Sequence, residues 1–591
     1  MVMASPFSLS STVPITLTSS LSPCSQKTSQ LSIVRKRRPY SIRKSSISCE
    51  ATNGEGDTSS KAKFDRRDLL VSLGGLYGVA NLASDPFALA APIEAPDLSK
   101  CGKADLPEGA KPTNCCPPTA ATILDYKFPK YNTFRVRPAA HLADDAYIAK
   151  YEKAIKLMKA LPDTDPRSFT QQASVHCAYC DGAYHQVGFP DLELQVHNSW
   201  LFFPFHRYYL YFFERILGKL IDDPTFALPF WNWDSAKGMP IPAMFANTSS
   251  PLYDTLRDAK HQPPNLVDLD FNGTDENLSN ADQISSNYKV MYRQMVSNAK
   301  TPQLFMGSAY RAGDNSDPGA GSLENNAHGL VHFWTGDRSQ PNTENMGNFY
   351  SAGKDPIFYA HHSNVDRLWT VWKILGGKRR DFTDSDWLDA SFIFYDENAK
   401  PVKVKVRDCL DTKKLGYVYQ KVDNPWLKTK PQPKKIIKKL EKAIGVAHAA
   451  ALKTNFVTPT QFPIVLDKTI SMVVQRPKKS RSKKQKEDEE EVLVIDNIEF
   501  EKNMAVKFDV FINDEDEVPT GPDTTEFAGT FVSLPHKHKH HEKMKTRLRL
   551  GLTDLLEDLD ADDDETVVVT LVPRYGTGVS IGSIKIDFAS D

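Results

Sequence analysis

Two hydrophobic rhythms divide this chain. From about Pro92 to Tyr419, apolar and aromatic residues fall in helix-length runs separated by stretches rich in Gly, Pro and Asn. The run Phe205-His206-Arg207-Tyr208-Tyr209-Leu210-Tyr211-Phe212-Phe213-Glu214-Arg215 opens just after Pro204. Proline suits a first helical turn because its missing N–H has no partner there anyway. A second helix is expected where Asp355-Pro356-Ile357-Phe358-Tyr359 leads into a Leu- and Trp-rich run, whereas residues 301–326 read as loop. Towards the C-terminus the rhythm shortens to alternation, as in Val506–Phe511, Thr566–Leu571 and Ile581–Ile586. Alternating β-branched and polar residues predict half-buried strands, and several short ones suggest a sandwich or small barrel. The expected fold is a mainly α unit with long loops, followed by a β-sandwich-like domain.

At 591 residues the chain has length for two or three folded units. Its 40% hydrophobic, 10% aromatic and 25% charged residues are ordinary for a globular protein and exclude a collagen-like, wholly disordered or multi-pass membrane chain. No run approaches the ~18 apolar residues of a stable membrane span. The formal net charge is −1, with a basic excess confined to the first ninety residues. The remainder is mildly acidic and offers no basic face for nucleic acid.

Positions 1–49 lack Asp and Glu, are rich in Ser and Thr, and carry Arg35-Lys36-Arg37-Arg38. That is the composition of an organelle transit peptide. Arg66-Arg67 then precedes a short apolar run, Leu69–Tyr77, and the small-x-small triplet Ala88-Leu89-Ala90. A twin-arginine pair, a short apolar core and a small-residue site read as an export signal. Two signals in series predict a chloroplast protein passed on to the thylakoid lumen, with a mature chain starting near Ala91.

Cys24 and Cys49 leave with the transit peptide. Cys101, Cys115 and Cys116 lie in a Pro- and Gly-rich stretch where cross-links would be useful. Cys177-Ala178-Tyr179-Cys180 alone reads as a redox or zinc CxxC, but no second pair stands at matching spacing for zinc. The histidines are more informative. His176, His197 and His206 form one group; His328, His332 and His362 form another. His328 and His332 are four apart and would share a helix face. The zinc-protease pattern needs Glu after the first of them, where Gly329 stands. Three imidazoles per site without thiolate or carboxylate suit copper, and two such sites on facing helices suit a dinuclear centre in a bundle core.

The spacings His176-x20-His197-x8-His206 and His328-x3-His332-x29-His362 resemble the two copper motifs of plant polyphenol oxidases, the catechol oxidases and tyrosinases of the type-3 copper family. Asp386-Trp387-Leu388, Lys507-Phe508-Asp509-Val510 and the dual targeting signal match that family as well. The resemblance implies a four-helix-bundle dicopper core that oxidises o-diphenols to o-quinones while O2 becomes water. It further implies that His176, His197 and His206 bind one copper and His328, His332 and His362 the other. Cys180 would form a thioether to His197; Cys101–Cys116 and Cys115–Cys177 would be disulfides; Cys409 would stay a free thiol. Glu324 would take the phenolic proton, and Phe349 would be the aromatic gate. Gly329, which lacks the amide some members carry there, implies catechol oxidase rather than strong monophenolase activity. His361 is expected to be structural or to support a ligand, and Asn364 with Asp366-Arg367 to bond a ligand ring and brace the helix, or to form a capping network at its N-terminus. Tyr417-Val418-Tyr419 resembles the motif that closes the catalytic domain, with Arg135 or Arg137 as its partner.

The chain thus divides into a transit peptide (1–49), a thylakoid transfer signal (50–90), a dicopper catalytic domain (91–419), a connecting segment with a charged linker (420–491) and a C-terminal β domain (492–591). Arg476–Lys486 is basic and Glu487–Glu491 acidic, a block expected to be solvated and disordered. The β domain carries no recognisable catalytic set and would act as an intramolecular lid over the site, keeping the enzyme latent. Its tract His536-Lys537-His538-Lys539-His540-His541 reads as an exposed loop rather than a metal site. Other readings of the same core are a reversible O2 carrier of haemocyanin type, an oxidase dedicated to one flavonoid or chalcone, and a tyrosinase with monophenolase activity.

Overall fold

The computed structural model describes residues 91–118, 122–434, 456–514, 521–536 and 543–589. The expected targeting segment, 1–90, and His538, His540 and His541 lie outside them. Among the described residues no helix is long and apolar enough to cross a membrane.

The catalytic part is built on helices α1 (Asp145–Lys159), α2 (Phe169–Cys180), α3 (Phe202–Leu220), α4 (Asn280–Tyr292), α5 (Gly329–Thr335) and α6 (Ile357–Ile374). Asp144 and Ser168 start α1 and α2 by accepting backbone N–H bonds from Tyr147 (2.8 Å) and Gln171 (3.2 Å). The aromatic run of α3 is buried nearly all round, as expected of a helix without a polar face. It packs along α6, with Phe213 stacked on Tyr359 and Phe203 against Trp369. Residues 301–326 are not loop throughout: Pro302–Met306 is helical, and a π-helical turn, Glu324–His328, leads into α5.

Asp366, in the middle of α6, is the hub that holds these pieces together. It accepts from Arg207 Nε (2.5 Å), Arg137 Nη1 (3.3 Å) and the hydroxyls of Tyr417 (2.6 Å) and Tyr419. Burial pushes its carboxyl up, but Arg207, Arg137 and the two phenols outweigh that and keep it below its usual value. The strands Arg135–Arg137 and Tyr417–Tyr419 pair in parallel. Arg137, stacked 3.7 Å from the Tyr417 ring centroid, is the tyrosine motif's partner, while Arg135 turns to Glu214 and the Leu415 carbonyl. Asn364 and Arg367 brace the helix, as expected, but by bonds to Asp234 and to each other instead of to a ligand ring or the helix N-terminus. Arg367 donates to Asn364 Oδ1 and to both oxygens of Asp234, and Asn364 donates to Asp234 as well.

The C-terminal domain is a two-sheet β structure with its own core. Its strands are β1 (Ile464–Val465), β2 (Ile470–Gln475), β3 (Glu490–Glu501), β4 (Val506–Ile512), β5 (Phe527–Ser533), β6 (Lys543–Gly551), β7 (Thr566–Tyr575), β8 (Ser580–Ile581) and β9 (Ser583–Ala589). One sheet runs β5–β4–β7–β2; the other runs β6–β3–β8–β1, with β9 also paired to β3, and every pairing is antiparallel. Alternation therefore predicted the architecture correctly, but not its boundary. The charged block is folded, not a linker. Arg476 is buried against Glu491 and donates to the carbonyls of Ala561 and Asp564. Ser482 and Gln485 form a capping box for a short helix, Lys483–Asp488. Opposite charges at the two ends of the block meet each other, which a count along the chain does not show. The domain begins before residue 492, with Phe456 already bridged to Ser471.

The β domain lies on the catalytic part. Lys507 is buried and donates to Asp270 Oδ1 (2.8 Å), the Asp270 carbonyl (2.8 Å) and Asn272 Oδ1 (2.6 Å). Asn298 Nδ2 donates to the Ala528 carbonyl (2.8 Å). Val532 and Leu534 belong to the hydrophobic core of the catalytic part, not to that of their own sandwich.

Candidate metal centre

Each histidine reaches the centre from a different support. α2 carries His176, the loop after it His197, α3 His206, the π-helical turn and α5 His328 and His332, and α6 His362. All six are at most 3% exposed. The possible ligand atoms of His176, His197 and His206 lie within 4.8 Å of one another, and so do those of His328, His332, His361 and His362. His206 and His362 stack with centroids 4.1 Å apart, so the two clusters share a wall.

The hydrogen bonds fix most of the rings. Nδ1 of His176 faces the Phe349 carbonyl (2.7 Å), that of His206 the Phe202 carbonyl (2.8 Å), that of His328 the Glu324 carbonyl (3.2 Å) and that of His332 the Met346 carbonyl (2.7 Å). His197 Nδ1 faces Gln195 Oε1 at 3.2 Å. A carbonyl can only accept, so these five rings hold their proton on Nδ1 and present a bare Nε2 lone pair. Nε2 of His176, His197, His206 and His328 has no hydrogen-bond partner, and Nε2 of His332 lies 3.2 Å from Nε2 of His362. Buried lone pairs without donors are costly in a core, and a metal ion satisfies them. Burial keeps the rings neutral, as ligands must be: it lowers His176 to about 4 and His332 to about 3, and holds the others well below their usual value. Neither cluster holds a carboxylate or thiolate, a donor set that suits copper.

His361 lies among the second cluster but is held differently. Trp233 Nε1 donates to its Nδ1 at 3.1 Å, which leaves the proton on Nε2, the nitrogen a ligand would need free. Glu324 is buried, and burial pushes its carboxyl well above the usual range. Its Oε1 accepts from the Asn198 backbone N–H (2.6 Å), while Oε2 has no hydrogen-bond partner. The Phe349 ring stacks 4.4 Å from His197. Gly329 opens α5, and a Cβ there would lie 3.4 Å from Val532 Cγ1 of the β domain. The disulfides Cys101–Cys116 and Cys115–Cys177 are present, the second beside His176; Cys180 and Cys409 are buried and unbridged.

Sequence reasoning missed Gln195. Its Nε2 donates to the Cys180 carbonyl (2.9 Å), and its Oε1 receives the His197 backbone N–H (3.0 Å), so it fastens the one of the six clustered histidines that stands on a loop. Its place two residues before His197 was the one available signal. A covering β domain was expected, but not the residues that form the cover, and His536, expected in an exposed loop, is buried. Asn325 Nδ2 donates to the Thr530 carbonyl (2.6 Å), and its Oδ1 accepts from the Val532 N–H (3.2 Å). His536 stacks on Phe349 at 5.1 Å.

A helical core with two buried three-imidazole clusters defines a protein with a dinuclear metal centre of the type-3 kind. Three family descriptions match in order: the common central domain of tyrosinase over residues 166–375, the polyphenol oxidase middle domain over 381–432 and the chloroplastic polyphenol oxidase C-terminal domain over 462–588. The chain is 64% identical over 584 residues to a chloroplastic polyphenol oxidase of Malus domestica, covering 98% of each chain. It is 55% identical to aureusidin synthase of Antirrhinum majus over 92% of this chain and 98% of that one. The structure of latent apple tyrosinase superposes with a TM-score of 0.76 at 66% identity, covering 79% of this chain and all of the other. The chain belongs to the plant polyphenol oxidases, copper oxidases of the tyrosinase family.

Proposed function

We propose that the protein oxidises o-diphenols to o-quinones, reducing O2 to water, at two copper ions held by His176, His197 and His206 and by His328, His332 and His362. The observation that carries this reading is the set of inward Nε2 atoms with no partner among buried neutral rings. The bound pair supplies the electron transfer between catechol and O2. The chain's own residues bind and orient the phenol and handle its protons. Glu324 Oε2, left without a hydrogen bond, is the acceptor for the phenolic proton. The Phe349 ring, stacked on His197, is the platform over which the substrate ring enters. Gly329 offers no side-chain amide near Glu324, which favours diphenols over monophenols. Cys180 forms the thioether to His197, whose loop Gln195 already draws towards the Cys180 backbone.

The β domain is the lid of a latent proenzyme. Val532 lies over Gly329, His536 lies on Phe349, and Leu534 is buried between them in sequence, so this strand covers the way in for a phenol. The targeting segment fits import into the chloroplast and passage to the thylakoid lumen, and the relatives named chloroplastic support the first step. Oxidation of a flavonoid or chalcone is a second reading, supported by the 55% identity to aureusidin synthase. Copper analysis of the mature protein with a panel of catechol, tyramine and a chalcone, before and after removal of the β domain, tests these readings. Two coppers and fast catechol oxidation are expected. Copper with O2 binding but no phenol turnover in the uncovered enzyme would instead indicate an oxygen carrier.

A further inference from the structure

Glu324 owes its position to residues outside its own helix. The N–H that holds its Oε1 belongs to Asn198, the residue after His197. Asn198 has φ 54°, a left-handed conformation that asparagine adopts when local bonds support it. Two bonds do so here. The Asn198 carbonyl accepts from the Gly319 N–H (2.9 Å), and its Nδ2 donates to Asp317 Oδ1 (3.0 Å). Asp317 is also left-handed, at φ 64°, and is 2% exposed; its Oδ2 accepts from Ser316 Oγ (3.0 Å). Non-glycine residues in this conformation cluster where a site needs a fixed geometry. The charge opposite Asp317 comes from the β domain: Lys502 Nζ lies 3.7 Å from its Oδ2. The Lys502 carbonyl in turn accepts from the His536 N–H (2.8 Å), the residue stacked on Phe349.

We infer that Asp317 is a positioning residue for Glu324, acting through Asn198, and that it joins the proton acceptor to the strand that covers the site. The inference rests on the role given to Glu324 above. Asp317 touches neither substrate nor metal; it holds the Asn198 side chain, which sets the direction of the N–H that orients the Glu324 carboxylate. With Oε1 held, the unbonded Oε2 keeps one orientation instead of several, and proton transfer needs a fixed orientation within hydrogen-bond reach.

The test compares Asp317→Ala, Asp317→Asn, Glu324→Gln and the Asp317→Ala/Glu324→Gln double variant as copper-loaded mature protein from which protease has removed the β domain, so that the lid does not limit turnover. Turnover of 4-methylcatechol is normalised to the near-ultraviolet band that H2O2 elicits from the coupled coppers. Asp317→Ala should lower kcat about tenfold or more with KM and the band per copper unchanged, the pattern of a lost transition-state contact. Asp317→Asn keeps an oxygen acceptor for Asn198 and should stay within about threefold of wild type, whereas a role confined to pairing with Lys502 of the β domain would leave kcat unchanged in both variants once that domain is removed. The double variant should be no slower than Glu324→Gln, because residues acting through one another are not additive. An unchanged kcat in Asp317→Ala, an Asp317→Asn as slow as Asp317→Ala, or a double variant slowed by the product of the singles overturns the inference alone. Wild-type turnover in Glu324→Gln overturns the role of Glu324 and this inference with it.

Discussion

The side-chain amide of Asn325 sets how firmly the lid is closed. β5 is the edge strand of its sheet, and its outward backbone groups need partners when the domain sits down on the catalytic part. Asn325 supplies them as a further strand would, donating to the Thr530 carbonyl and accepting from the Val532 N–H. In Asn325→Ala both groups remain buried without partners in the closed state, while water satisfies them when the strand lifts. A buried group left unsatisfied costs about 1–3 kcal/mol. Two such groups, discounted for the asparagine amide that no longer needs desolvation, shift opening by about 2–3 kcal/mol, or roughly 30–150-fold. Lys507 and Asn298 still fasten the domain, so it should remain folded and attached. The assay is catechol oxidation at equal copper content, for intact and protease-clipped protein. Intact Asn325→Ala should oxidise catechol at least about tenfold faster than intact wild type, with the clipped forms equal. An intact variant as latent as wild type, with normal clipped activity, would show that this strand does not control access.

His362→Ala should cost one of two coppers and abolish catechol oxidation, read by metal analysis and turnover; wild-type turnover in that variant refutes the ligand set. Gly329→Asn should raise tyramine turnover relative to catechol in clipped enzyme. In the intact chain it should also loosen the lid, because the added Cβ would lie 3.4 Å from Val532 Cγ1 and the amide beyond it needs more room. Brief trypsin treatment should leave Arg476–Glu491 uncut despite its seven basic residues, because Arg476 and Arg481 are buried and the block is folded; N-terminal sequencing of the released fragment checks this. Intact-mass analysis should find the mature chain lighter by the two hydrogens of a Cys180–His197 thioether beyond those of its two disulfides, and Cys180→Ser should remove that difference.

Much of this protein is written in local pattern. The aromatic run after Pro204, the four-residue spacing of His328 and His332, and the β-branched alternation after Val506 each state an element and a face, because side-chain direction follows backbone period. Six histidines in two groups of three, without acidic or thiol companions, state the metal chemistry as well. What the sequence left open depends on partners far apart along the chain. The choice of Arg137 over Arg135 is made by Asp366, more than two hundred residues away, through a buried pair whose geometry no spacing encodes. The charged block looked solvated because charge along a chain says nothing of the pairing between its ends; Arg476 meets Glu491 only once β2 and β3 lie in their sheets. Gln195 and Asp317 are ordinary polar residues until folding buries them, and burial is what makes their hydrogen bonds obligatory; Asn198 matters only because folding sets it between Asp317 and Glu324. The cover strand belongs by sequence to the sandwich, yet Val532 and Leu534 fill the core of the catalytic part. Apolar side chains go wherever their area leaves water, and only the docked tertiary structure decides which of two cores receives them.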